Sequence, residues 1–200
     1  YSKLRELWET QRELRNTHGG HILETLEHYK NVVEETYGIS LHTVMLKGSQ
    51  NYNLSDEESD IDAVAVYLPS LQDLRSNKVY KHKFDTGEIT IHNIYAFADI
   101  LAKGNPQWIE SVNSKYIVGE QIDFYKEFKV NPSAMKGMFM EKVTAFSKRY
   151  PSREQIVDTF GYDPKQLHHL ARLYDCLVHN TSHIEYAGDA REYMLDLKRG

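Results

Sequence analysis

Two apolar, β-branched runs lie close together in the chain, and two aspartates stand where the second begins. LHTVMLKG covers 41–48 and IDAVAVYL covers 61–68. Both have the composition of buried strands. Asp60 and Asp62 stand at i and i+2, so on a strand they project to one side while Ile61 and Ala63 project to the other. Like charges placed together repel, and each raises the other's pKa. The pair is tolerable where a divalent cation lies between the carboxylates, and Mg²⁺ takes oxygen ligands of this kind. Read from the pair alone, a strand end with two solvated aspartates is an equal alternative.

The remaining pattern places these strands in a mixed α/β (α+β) fold. EITIHNIY (88–95) alternates and reads as a third strand, with KVYKHKF (78–84) as an edge strand joined to it through Asp85-Thr86-Gly87. Helical periodicity covers 2–16 and 21–36, the second closed by Gly38. Beyond residue 95 the texture is helical: two short helices in 96–114, with Asn105 capping and Pro106 in the first turn of the second, then 133–149, 152–160, 163–180 and 190–199. Asp163, Pro164 and Gln166 form a strong helix start. The expected organisation is a small mixed-sheet core with flanking helices over 1–95 and a helical region over 96–200, packed together with a cleft between them.

Composition narrows the function classes. With 40% hydrophobic and 26% charged residues, the 200-residue chain can bury a core without disulfides or a structural metal. Its one cysteine, Cys176, reads as a core residue and forms no internal disulfide, which fits a reducing, cytoplasmic setting. No apolar run is long enough to span a membrane, and no signal peptide pattern is present. The chain starts at Tyr1 and stops without an obvious end signal, so it reads as part of a longer protein. A net charge of −5 argues against a large nucleic-acid footprint, while a nucleotide or an RNA end needs only a local basic patch.

Directly after the first strand come Gly48 and Ser49. A glycine there lets the backbone turn sharply, and the exposed N–H groups with the serine hydroxyl can hold a phosphate oxygen. Gly48-Ser49, a ten-residue spacer and Asp60-Ile61-Asp62-Ala63 resemble the signature of the DNA polymerase β-like nucleotidyltransferase superfamily. The longer stretch GSQNYNLSDEESDIDAVAVY is similar to a subgroup of nucleotidyltransferases, some associated with RNA repair. Asn53 and Ala65 replace glycines of that pattern, and Lys47 stands where an apolar residue is usual. Asparagine tolerates the left-handed conformation best after glycine.

That resemblance implies a metal-dependent transfer of a nucleotidyl group from a nucleoside triphosphate, with Mg²⁺ or Mn²⁺ as cofactor. It also implies a third metal-binding acid on a neighbouring strand. Glu88 is the match, and Asp85 the runner-up. Gly48 and Ser49 would hold the triphosphate. Lys165, His169 and Arg172 match the subgroup's late-helix motif and fall at i, i+4 and i+7, giving a basic face toward the cleft, with Leu167, Leu170 and Tyr174 packing behind it. The acceptor hydroxyl would belong to an RNA 3′ end such as that of tRNA, a protein side chain or a small molecule. The competing reading is a catalytically silent nucleotide-binding or antitoxin-like module. Retention of both Asp60 and Asp62 favours the enzyme. Trp108 reads as core, with base stacking as the alternative, and SDEES (55–59) reads as a solvated loop.

Overall fold

The two apolar runs become antiparallel neighbours, β1 (Leu41–Lys47) and β2 (Asp62–Tyr67), with Val44 opposite Ala65 and Lys47 opposite Asp62. They lie inside a computed structural model that describes residues 19–56, 59–76, 78–181 and 183–200. The helix expected over 2–16 falls outside the described residues. A short helix α2 (Leu71–Ser76) carries the chain to a hairpin of β3 (Tyr80–Phe84) and β4 (Gly87–Asn93), turning at Asp85-Thr86. β4 lies parallel to β2, and β5 (Ile117–Gly119) pairs with the far side of β1. The mixed sheet has the order β3-β4-β2-β1-β5. The class is therefore mixed α+β, as expected from the sequence.

Helix α1 (Gly19–Tyr37) covers one face of this sheet. Ile22, Leu23, Leu26, Tyr29 and Val33 pack on Leu46, Ala63, Ala65, Ile89 and Ile91. Leu26, Tyr29 and Val33 are fully buried, and burial of such side chains is worth about 1.5–3 kcal/mol each. The other face, with Met45, Val64 and Val66, lies under Phe97 and Leu101 of α3 (Ile94–Ala102) and Ile109 and Val112 of α4 (Pro106–Val112). Residues 96–119, grouped with the helical region in the sequence reading, thus cover and extend the sheet. Strand β4 ends two residues earlier than its alternation suggests, because the Asn93 side chain accepts the Ala96 N–H and starts α3.

The rest of the chain is helical: α5 (Pro132–Ala145), α6 (Glu154–Phe160), α7 (Pro164–Val178) and α8 (Gly188–Arg199). α5 and α8 both pack on α7. Asp163 caps α7 by accepting the Lys165 N–H and also receives two hydrogen bonds from Arg153. No helix among the described residues is long and apolar enough to cross a membrane.

One buried ion pair ties these helices to the sheet. Arg172 of α7 donates to Glu110 of α4, and both are almost fully buried. The guanidinium also lies over the Tyr52 ring, 4.2 Å from its centroid. Removing one member of such a pair leaves an uncompensated charge, at a cost of about 3–5 kcal/mol. Arg172→Met should lower stability by that amount in urea denaturation. The double change Glu110→Leu with Arg172→Met should recover most of the loss.

Candidate functional site

Register alone assembles a charged row at one end of the sheet. Lys83 of β3 stands beside Glu88 of β4, Glu88 beside Asp62 of β2, and Asp62 opposite Lys47 of β1. All four project to the face that carries α3 and α4, since the intervening Ile61, Ala63 and Ile89 belong to the core beneath α1. Two carboxylates are flanked by two lysines.

The contact between Asp62 and Glu88 depends on a close backbone approach. Ile61 N–H bonds to the Thr86 carbonyl at 2.8 Å, and the Glu88 N–H donates to Asp62 Oδ1 at 3.1 Å. A Cβ on Gly87 would stand 2.3 Å from the Ile61 carbonyl oxygen, so only glycine lets β4 enter here. The bond from Glu88 fixes the orientation of the Asp62 carboxylate. Asp62 is half-buried. Asp60, just ahead of β2, is exposed and forms no hydrogen bond or ion pair among the described residues. The Glu88 carboxylate lies 3.8 Å from Lys81 Nζ, on the adjacent strand. Among the described residues, no three acidic, histidine or cysteine side chains stand close enough together to hold a metal ion. The donor set nevertheless suits a hard divalent cation. It is all oxygen, and Asp60 and Glu88 both reach solvent.

Gly48 and Ser49 lie at the end of β1, next to Asp62 in the register. Gly48 has φ 92° and ψ −159°, a region essentially reserved to glycine. It leads into a 3-10 turn over Ser49–Tyr52, and Asn51 N–H closes on the Gly48 carbonyl at 3.0 Å. The buried Asn51 side chain donates to the Leu46 carbonyl and accepts from Ser114 Oγ at 2.6 Å, bracing the turn from behind. Asn53 closes the turn with φ 59°, the left-handed conformation its replacement of glycine requires.

The expected basic face of α7 is arranged differently. Lys165 is exposed and His169 is half-buried, but Arg172 faces inward onto Glu110 and Tyr52. The packed side of the helix carries His168, Arg172, Leu173 and Cys176, while Tyr174 is exposed instead of packed. A buried acid on α4 selects the arginine side as the interior side. The structure therefore does not bring Lys165, His169 and Arg172 together as one solvent-facing patch.

Four groups on the carboxylate face of the sheet escaped the sequence reading as site residues. Lys47 Nζ lies 5.2 Å from the centroid of the Trp108 ring. Lys81 and Lys83 share the carboxylate face of β3, a placement already contained in the alternation of KVYKHKF. His92, on β4, is buried, and neither ring nitrogen has a partner among the described residues. Two residues of the SDEES segment are tied down: Lys198 donates to Asp56 at 2.7 Å and to Ser59 at 3.0 Å.

No family model and no curated protein sequence matches the chain. Among solved structures, a nucleotidyltransferase-like protein from Exiguobacterium sibiricum is similar at 16% identity and a TM-score of 0.34. The match covers 88% of this chain, which spans 64% of that protein.

Burial, with Lys47 and Lys81 adding to it, pushes the pKa of His92 down to about 4. Burial, helped by Arg172 and other cations, pushes that of His169 to about 3. In the unfolded chain both titrate near the ordinary 6.5. Between these values the unfolded state binds protons that the folded state refuses, so stability rises with pH across the window and falls as pH drops through it. Each ring contributes a slope of up to about 1.4 kcal/mol per pH unit. His92→Leu should flatten the dependence of the urea midpoint on pH between about 4.5 and 6.5 relative to the parent chain.

Proposed function

We propose that this chain is a metal-dependent nucleotidyltransferase that moves a nucleoside monophosphate from a triphosphate to a hydroxyl acceptor and releases pyrophosphate. One observation carries the reading: the strained Gly48 turn and Ser49 adjoin Asp62, whose carboxylate is oriented by the Glu88 backbone on the neighbouring strand. Backbone N–H groups of the turn and the Ser49 hydroxyl would hold phosphate oxygens. Asp60, Asp62 and Glu88 would hold Mg²⁺ or Mn²⁺, which supplies charge neutralisation between the carboxylates and the phosphates. Glu88, whose carboxylate lies beside Lys81, would join that set and would take the proton of the acceptor hydroxyl. The hydroxyl oxygen bonds to the α-phosphorus as the bond to the bridging oxygen breaks, and pyrophosphate leaves with the electron pair. Positioning and charge account for most of the rate.

The acceptor is an RNA 3′ end such as that of tRNA, a protein side chain or a small molecule, and a role in RNA repair in the cytoplasm is part of the same proposal. Lys165 and His169 would serve the acceptor or phosphates from α7. Arg172 would act indirectly, through Tyr52 behind the turn.

A second reading, a catalytically silent nucleotide-binding module, is favoured by the pairing of Lys81 with Glu88. Incubation with each triphosphate, labelled at the α-phosphate, plus Mg²⁺ or Mn²⁺ and cell extract separates the two. The wild type should label an acceptor, and Asp62→Asn should lower transfer by about 100-fold or more. The urea midpoint of that variant should be unchanged, because the amide oxygen of the new side chain still accepts the Glu88 N–H. Cation-dependent thermal stabilisation by a triphosphate analogue without any labelled acceptor would favour the silent module.

A further inference from the structure

Lys47 stands directly before the Gly48 turn and opposite Asp62 in the register. Directly opposed residues on antiparallel strands lie close enough for their side chains to interact. Yet Lys47 forms no ion pair with Asp62 and no hydrogen bond among the described residues. Its ammonium lies over the Trp108 ring instead. Trp108 is held in place from behind. Its ring meets His92 edge-on at 5.5 Å and Phe97 at 6.1 Å, and the same helix carries Glu110, anchored by Arg172. An aromatic face steadies a cation without neutralising it. Lys47 is thus left without a carboxylate partner among the described residues, at the mouth of a turn whose backbone suits an anion.

We propose that Lys47 binds the polyphosphate end of the nucleoside triphosphate, the part that departs as pyrophosphate, and that Trp108 is the positioning residue that aims it. This inference rests on the proposed nucleotidyl transfer and assigns its substrate contact. As the bond from the α-phosphorus to the bridging oxygen breaks, negative charge gathers on the departing pyrophosphate. A cation beside the turn meets that charge, whereas an apolar side chain there would not.

The test compares binding of a nucleoside monophosphate, the corresponding non-hydrolysable triphosphate analogue and inorganic tripolyphosphate by calorimetry, all with Mg²⁺. The wild type should favour the triphosphate analogue over the monophosphate. Lys47→Met, which keeps the stem, should weaken the triphosphate analogue and tripolyphosphate at least tenfold and leave the monophosphate within twofold. Lys47→Arg should restore most of the loss, which a packing role alone would not produce. Trp108→Leu should weaken the triphosphate analogue more than the monophosphate, and Trp108→Phe, which keeps an aromatic face, should retain most of that preference. Equal triphosphate-to-monophosphate ratios in wild type and Lys47→Met would overturn the assignment while leaving nucleotidyl transfer standing. A wild type that binds tripolyphosphate but no nucleotide would keep the Lys47 anion site and overturn the transfer reading. Binding of none of the three ligands would overturn both.

Discussion

The buried pair of Arg172 and Glu110 is the constraint on which the arrangement of this protein depends. Burial opposes the charge on Arg172, and the Glu110 carboxylate more than restores it, so the guanidinium stays ionised in the interior. Its face also rests on Tyr52, the last residue of the turn that follows Gly48. One side chain therefore joins helix α7, helix α4 and the segment that links β1 to β2. Charge in an interior is tolerated only with such close partners. The three elements are consequently fixed relative to one another, and the Gly48 turn is held in place by α7.

The C-terminal segment extends this hold along the link to β2. Tyr186 N–H bonds to the Tyr52 carbonyl, and Asn53 Nδ2 donates to the Tyr186 carbonyl. Arg191 donates to the carbonyls of Asn53 and Ser55, and Lys198 reaches Asp56 and Ser59. Asn53, Ser55, Asp56 and Ser59 are thereby held by α8 and the residues before it. The helical half does more than cover the sheet: it also holds described residues at and after the turn that precedes the two aspartates.

Much of this was legible in the sequence where local rules act alone. Alternation and β-branching locate β1, β2 and the β3–β4 hairpin, and Asn105, Pro106, Asp163 and Pro164 mark helix starts that the structure keeps. Asn53 adopts the left-handed conformation that its exchange for glycine suggests. What stayed hidden depends on distant partners. The periodicity of α7 is equally compatible with Arg172 facing water or core, and only Glu110, 62 positions earlier, decides it. Strand β5 is three residues long, too short to carry a pattern, and exists because β1 offers it an edge. The parallel sense of β2 and β4 comes from the intervening hairpin rather than from either strand's composition.

The outer strand β3 has a bearing on the solution behaviour of the chain. Among the described residues no strand pairs with its outer edge, and such an edge could recruit a strand from another molecule. It carries Lys81 and Lys83 on one face, with Lys78 just ahead of it, and the opposite edge strand, β5, spans three residues only. Docking a second copy along β3 would stack ammonium groups against one another, and β5 is too brief to template a ladder. The lysines of β3 and the brevity of β5 thus both oppose edge-to-edge pairing of the described sheet.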